Sequence, residues 1–323
     1  MIGITLGDPA GIGPEITLKA IATLRNPQSA IRIIGSLAIL EDLKKKLKLK
    51  LDLEPLVFDV IPNFKYQVGK TNKRCGIAAL NVLDIAIELL KVGKINGIVT
   101  APICKESLRL AGFKYPGHTE FLADAFKVKK YAMLAYSPQL KIVFATIHKP
   151  LRDVAKYITT DKVFEKIILL NDFLLHAPRN KHDVSRKKRS ASSVKHPALC
   201  VLAFNPHSFE FSAGEEEKIV KAINKARRLG IKVVGPFPSD TVNELIGKFD
   251  GIVAMYHDQG MIPIKLLARD QGVNVTLGLP YPRTSPLHGC AFDIAGQGIA
   301  NPASMQAAID LCLKLTPNLS LDA

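Results

Sequence analysis

The sequence has no tryptophan, only 7% aromatic residues and only five cysteines in 323 residues. Those cysteines (Cys75, Cys104, Cys200, Cys290, Cys312) are odd in number, widely scattered and include no CxxC pair, which argues against a disulfide framework or a thiolate zinc site. They read as reduced, mostly structural thiols. No apolar run approaches the roughly 20 residues that a membrane-spanning helix needs. The opening MIGITLGDPAG also lacks the basic flank and cleavage pattern of a secretory leader. No membrane association is expected, and the chain is expected in the cytoplasm. No GxGxxG follows a strand, so the ordinary dinucleotide fingerprint is missing, and no HxH or HExxH pattern fixes a local metal geometry.

Acidic residues are outnumbered, 29 to 44, giving a formal charge of +15. Much of that excess is local. Seven Lys/Arg lie between Arg179 and Lys195, and five more lie in KKKLKLK at 44 to 50. Neither block has interleaved aromatics for base stacking, and no helix-turn-helix, zinc-finger or RNP pattern accompanies them. Both read as solvated loops, and no nucleic-acid partner is expected. Long-range attraction of an anionic substrate is the other use for such charge.

What is present is 47% hydrophobic residues in a length that suits two lobes, each with its own core. Short β-branched runs alternate with amphipathic stretches: IGITL then PEITLKAIATL, AIRIIG then LAILEDLKKKL, CGIAALNVLDIAIELLKVG then NGIVTA. Continuous apolar strands separated by helices predict an α/β fold with largely parallel sheets covered on both faces. Further strands are expected at KIVFATI, ALCVLAF, GIVAMY and GVNVTLG, and further helices at EEEKIVKAINKARRLG and PASMQAAIDLCLKL. Residues 177 to 197 are polar, basic and without periodicity, an excursion rather than a linker.

Three expected strands run into a histidine: His148 after KIVFATI, His207 after ALCVLAFNP and His257 after GIVAMY. Ligands of open parallel sheets bind outside the carboxyl ends of strands, where three imidazoles can hold one divalent ion. Any one of them alone is adequately explained as a strand-end residue bonding a loop carbonyl; three in equivalent contexts favour the metal. YPGHTEFLAD places His118 and Thr119 at an expected helix start, with Thr119 as its cap and free N–H groups for a phosphate or carboxylate. Lys265, Asn274 in the next strand and Arg283 in the Pro-rich turn GLPYPRTSP are further anion partners, though each taken singly is also an ordinary surface residue. Asp240 in GPFPSDT precedes a helix start, and capping is its simplest role. The Gly-rich HGCAFDIAGQGIANP at 288 to 302 permits close backbone approach to a pyrophosphate, with Asp293 available to a ribose. GDPAGIGPEI puts Gly11 and Gly13 before a Pro14-led helix, which turn chemistry explains.

Taken together, GDPAGIGPEI, TAPICKESL, GHTEFLA, ATIHKPLRDV, NPHS, GPFPSDT, AMYHDQG and GVNVTLGLPYPRTSPLHGCAFDIAGQGIANP resemble the 4-hydroxythreonine-4-phosphate dehydrogenase family of pyridoxal phosphate biosynthesis, nearly end to end. The last segment is also similar to the adenosine-binding stretch of isopropylmalate and isocitrate dehydrogenases. The resemblance implies a two-lobed α/β/α fold of that superfamily, with 1–116 plus 288–323 as one lobe and 117–287 as the other. It further implies a divalent ion (zinc, magnesium or cobalt) on His148, His207 and His257, with the site completed across a homodimer interface. Substrate contacts are implied at His118, Thr119, Lys265, Asn274 and Arg283, and cofactor contacts at His288, Gly289, Asp293 and Asn301. An aspartate at the ribose favours NAD, with NADP the second option. The implied reaction is oxidation of 4-phosphooxy-L-threonine at its C3 hydroxyl followed by decarboxylation to 3-amino-2-oxopropyl phosphate, with Lys265 or Asp240 as the base. A paralogous threonate or erythronate 4-phosphate dehydrogenase, or a non-catalytic ligand-binding protein on the same fold, are the alternatives. One departure is clear: a glycine-rich loop is expected after NPH, whereas this chain reads NPHSFEFSAGEEE, with Phe209, Phe211 and Ser212 in place of small residues.

Overall fold

The computed structural model describes residues 1–177 and 197–316. Nearly all of the basic excursion at 177 to 197 lies outside the described residues. Along the chain the strands are β1 (Ile2–Thr5), β2 (Ile31–Gly35), β3 (Val57–Asp59), β4 (Ile98–Thr100), β5 (Ala132–Tyr136), β6 (Lys141–Phe144), β7 (Ala198–Leu202), β8 (Lys232–Phe237), β9 (Gly251–Ala254), β10 (Val273–Leu277) and β11 (Arg283–Pro286). The helices are α1 (Gly13–Ile21), α2 (Leu37–Lys46), α3 (Lys73–Lys91), α4 (Lys105–Leu110), α5 (His118–Ala125), α6 (Val154–Tyr157), α7 (Thr160–His176), α8 (Glu215–Arg228), α9 (Val242–Leu245), α10 (His257–Ala268) and α11 (Ala303–Leu315). No helix among the described residues is long and apolar enough to cross a membrane.

Two compact units divide the chain: Met1–Lys129 with Leu279–Ala323, and Lys130–Gly278. His118, Thr119 and Arg283 therefore belong to the first unit, whereas the lobe division expected at 117 and 287 put them in the second. In the first unit the strand order is β3-β2-β1-β4-β11, parallel throughout. β1 is buried along its whole length, the pattern of a strand covered on both faces. α3 packs on β1 and β2, and α11 on β4 and β11. Gly35 is required because a Cβ there would lie 2.1 Å from Leu6 Cδ1.

In the second unit the order is β10-β5-β6-β9-β7-β8. β6, β9, β7 and β8 run parallel, while β5 is antiparallel to both β6 and β10. The apolar runs expected to be strands or helices all become such elements. The added strands are β3, β5, β8 and β11: β3 and β11 are short, β8 is interrupted by Gly-Pro, and β5 is an uninterrupted five-residue run; the 17-residue α7 is an added helix. All five cysteines are free, and burial pushes the Cys75 and Cys312 thiols up to about 12, which suits packing rather than nucleophilic chemistry.

Candidate active site

β6 and β9 set the first pair of histidines. Beyond both strands the pairing continues, Ala145 N–H donating to the Ala254 carbonyl at 2.7 Å and Thr146 N–H to Met255 at 3.1 Å. The Thr146 hydroxyl donates to the same Met255 carbonyl at 2.8 Å. The two chains leave the sheet side by side, and the rings of His148 and His257 come to 6.5 Å between centroids. His148 has a left-handed backbone (φ 49°), uncommon for a residue with a side chain and characteristic of a constrained turn. His257 is the first residue of α10; its ring stacks on Phe144 at 6.0 Å. Its Nδ1 lies 2.7 Å from Asp258 Oδ1, and because a carboxylate oxygen accepts, the proton of this bond sits on Nδ1.

The rest of YHDQG is a clamp. The buried Gln259 accepts Met255 N–H at 2.5 Å, and its amide donates to the Ala203 carbonyl at 2.7 Å and to Ser239 Oγ at 2.5 Å. It thereby ties the ends of β9 and β7 to the turn after β8. Gly260 has no side chain because a Cβ would meet Phe144 Cε1 at 2.6 Å and Ile142 Cγ2 at 2.7 Å, so glycine lets α10 lie directly on β6.

His207 follows β7. The fully buried Glu216 takes the N–H groups of Phe204 and Asn205 on Oε1 at 3.0 and 2.8 Å, and the Asn205 amide on Oε2 at 2.9 Å. Burial raises the Glu216 carboxyl, but these donors and Ser212 outweigh it and hold the group below the usual range. The loop then closes as a 3-10 turn (Ser208–Phe211), with His207 and Ser208 at φ 54° and 60°. The missing glycines are thus replaced by two left-handed residues with side chains, while Phe209 and Phe211 face outward, 53% and 59% exposed. His207 Nδ1 lies 3.3 Å from Glu210 Oε2, and its ring is edge-on to Phe211.

Two of the three imidazoles thus carry a carboxylate at Nδ1, the arrangement that orients a metal-ligating histidine through Nε2. Yet no group of three His, Cys, Asp or Glu able to hold a metal forms among the described residues of the chain. Strand-end position brings His148 and His257 together and does not add His207 within one chain. The donor chemistry suits a divalent ion; the single chain supplies a pair.

The first unit builds a separate buried group around a cation. Arg283, expected in a Pro-rich turn, lies instead on the buried strand β11, 2% exposed. Its Nε and Nη2 donate to Thr100 Oγ1 at 3.1 and 2.6 Å. Burial lowers the guanidinium to about 10, against the raising effect of Glu120; it stays charged at neutral pH. His118 opens α5 behind Gly117; Thr119 sits buried in the first turn and does not cap it, since the cap position is glycine with no side-chain bond. Burial, reinforced by the Arg283 charge, lowers His118 well below its ordinary value, so the ring is neutral. Its Nε2 is buried without a hydrogen-bond partner.

The other expected residues are more dispersed. Lys265 is exposed on α10. Asn274 lies on β10, its Oδ1 buried without a hydrogen-bond partner. Asp240 is exposed in a 3-10 turn and caps nothing: α9 has Thr241 at its cap position and no side-chain cap bond. In the 288–302 loop, His288 and Asp293 are exposed; the Asp293 carbonyl accepts the Gln297 amide at 2.7 Å, and Asn301 Oδ1 accepts Ala303 N–H at 2.9 Å. Glu15 and Lys19 of α1 fasten this loop, Glu15 through Ala300 N–H and Lys19 through the Gly298 and Ala300 carbonyls.

The family model described as "Pyridoxal phosphate biosynthetic protein PdxA" matches residues 12–312. The chain belongs to the PdxA family. It is 39% identical to a 4-hydroxythreonine-4-phosphate dehydrogenase of Aquifex aeolicus, with 96% of each chain covered. It is 38% identical to a D-threonate 4-phosphate dehydrogenase of Salmonella typhimurium, covering 97% of this chain and 98% of that one. The crystal structure of 4-hydroxythreonine-4-phosphate dehydrogenase from Klebsiella pneumoniae superposes with a TM-score of 0.79 at 33% identity, over 98% of this chain and 99% of that one. In this PdxA-family chain the residues that sequence reasoning missed are Gln259, Glu216 and Thr100. The first two have a legible trace: a polar residue beside glycine, and an acid in the first turn of a helix that follows a loop. Thr100 has none, because its partner is 183 residues away.

Proposed function

We propose that the chain oxidises 4-phosphooxy-L-threonine at its C3 hydroxyl with a nicotinamide cofactor and then releases CO₂, leaving 3-amino-2-oxopropyl phosphate. Hydride leaves C3 for the cofactor and the hydroxyl proton goes to a base, for which Lys265 and Asp240 are the candidates. The ketone is then β to the carboxylate, whose C–C bond breaks with its electrons passing to the ketone, and a proton returns to the former carboxyl-bearing carbon. The observation that carries the reading is the strand-end pair His148–His257 with Asp258 behind it. A divalent ion on His148, His257 and His207 of a second copy would supply Lewis-acid polarisation of the C3 oxygen. NAD is the proposed cofactor, with His288, Gly289, Asp293 and Asn301 at its adenosine half. Arg283, held by Thr100, supplies fixed positive charge for the phosphate or carboxylate; neutral His118 offers Nε2 without adding charge. Thr119, Lys265 and Asn274 are the remaining proposed substrate contacts.

A homodimer is part of this proposal. Ile262 and Leu266 stand one turn apart on α10, 61% and 74% exposed, an apolar stripe on the helix that begins with His257. Mixing His207→Ala chains with His257→Ala chains tests it. If the ligands come from two copies, each mixed dimer regains one complete site, and roughly a quarter of wild-type turnover returns at random reassociation. Zero recovery refutes the shared site. A second reading, oxidation of D-threonate 4-phosphate, is supported by a relative that bears that name at 38% identity. NADH formation at 340 nm with both substrates side by side decides between them, and failure with both refutes the dehydrogenase assignment.

A further inference from the structure

The first unit holds a cavity of about 620 Å³ that none of the proposed metal, substrate or cofactor residues lines; small-molecule sites run from roughly 300 to 1,000 Å³. One face of α2 supplies Leu43 and Lys46, the segment before α3 supplies Lys65 and Tyr66, α1 supplies Glu15, and the 288–302 loop supplies Gln297. The two ends differ in chemistry. Glu15 is 2% exposed; its Oε1 is taken by Lys19 Nζ and Ala300 N–H, both at 2.8 Å, while Oε2 is buried with no hydrogen-bond partner. An unsatisfied buried carboxylate oxygen is costly and is relieved by a donor. Tyr66 is half-buried, and burial pushes its hydroxyl up to about 12, so it stays protonated. Lys46 and Lys65 are exposed on the lining, two cations against the single exposed carboxylate of Asp42.

We propose that this cavity binds a phosphate monoester of a flat heteroaromatic ring bearing a hydrogen-bond donor, with the donor on Glu15 Oε2, the ring between Leu43 and Tyr66, and the phosphate at Lys46 and Lys65. His288, Gly289, Asp293 and Asn301 are not part of its lining, so the site is additional to the one proposed for NAD. Because the same Glu15 carboxylate holds Ala300, an occupant bears directly on the loop that carries those residues.

Isothermal titration of the full chain with AMP and with pyridoxine 5′-phosphate, adenosine serving as the phosphate-free control, tests the assignment. At least one phosphate probe is expected to bind saturably, and which one does so separates nucleotide from pyridine phosphates. Glu15→Gln, which exchanges an acceptor for a donor, should weaken it roughly tenfold or more. Lys65→Ala should weaken it about threefold, as suits a screened surface charge. Leu43→Trp, or Ile39→Trp should the former fail to fold, should fill the space and abolish binding at unchanged melting temperature. No binding of either phosphate probe, equal binding by the tryptophan variant, or full displacement of the probe by NAD overturns the proposal. Turnover without probe binding overturns this inference alone; probe binding without turnover leaves it standing.

Discussion

Gly260→Ala separates packing from propensity at the candidate metal pair. Gly260 lies inside α10, where alanine is preferred over glycine by about 1 kcal/mol, so local preference alone forecasts a more stable protein. Tertiary packing forecasts the opposite. The added Cβ would sit 2.6 Å from Phe144 Cε1 and 2.7 Å from Ile142 Cγ2. Both neighbours are buried, Phe144 at 2% and Ile142 at 0% exposure, so neither yields by swinging into solvent. Overpacking of this kind costs about 1–3 kcal/mol, which outweighs the helix gain and leaves a net loss of about 0–2 kcal/mol. For a unit of this size that lowers the melting temperature by roughly 2–4 °C per kcal/mol. The larger effect falls on function, because the Phe144 ring that must move is the one against which His257 stacks. Calorimetry together with turnover should show a modest drop in melting temperature and a disproportionate loss of rate. In Gly260→Ala/Phe144→Leu, which removes the clashing ring atoms, the two destabilisations should be less than additive. A Gly260→Ala protein that melts at or above wild type with full turnover refutes the claim that this contact positions His257.

Two further outcomes are expected. Gly289→Ala meets nothing within 4 Å and its backbone lies outside the left-handed region, so stability should hold or rise by about 0.4–1 kcal/mol while the KM for NAD increases several-fold; an unchanged KM removes this loop from the cofactor site. His118 is held neutral in the folded chain, so below the ordinary histidine value of about 6.5 the unfolded chain binds a proton that the folded one refuses, and stability falls by up to about 1.4 kcal/mol per pH unit. Urea midpoints between pH 6.5 and 5 should therefore decline more steeply in wild type than in His118→Gln; parallel slopes show that His118 is protonated in the native state.

The fold was largely legible because its strands are continuous apolar runs and its helices carry one buried face, signals that survive without any knowledge of tertiary contacts. β11 was not: RTSP sits among prolines and has turn composition, and only pairing with β4 makes it a strand. That error hid the burial of Arg283, which is what distinguishes it from a surface charge. The histidines were legible as strand-end residues, but strand-end position fixes only which edge of the sheet a residue leaves, not the direction its loop then takes. His148 and His257 leave adjacent strands and meet, whereas the His207 loop is drawn onto α8 by Glu216. Thr and Asp favour cap positions, yet the structure places neither Thr119 nor Asp240 at a cap bond.

YHDQG is dense because each position answers a different physical demand. Tyr256 occupies the extended cap position of α10, His257 presents an imidazole, and Asp258 fixes which of its nitrogens is protonated. Gln259 substitutes side-chain hydrogen bonds for the sheet ladder where β7 and β9 end, and Gly260 gives up its side chain so that the helix can approach β6. His257 and Asp258 present polar side chains that are not buried, whereas Gln259 and Gly260 are buried and set how β7, β9 and α10 are placed. Substitution should therefore split the motif by readout. Asp258→Asn can still accept the Nδ1 proton and should alter turnover with little change in melting, whereas Gln259→Leu strands the Met255 N–H in the interior and leaves the Ala203 carbonyl only the long 3.4 Å bond from the Ser239 hydroxyl. Each buried group so orphaned costs about 1–3 kcal/mol, so Gln259→Leu should lose stability first and turnover as a consequence.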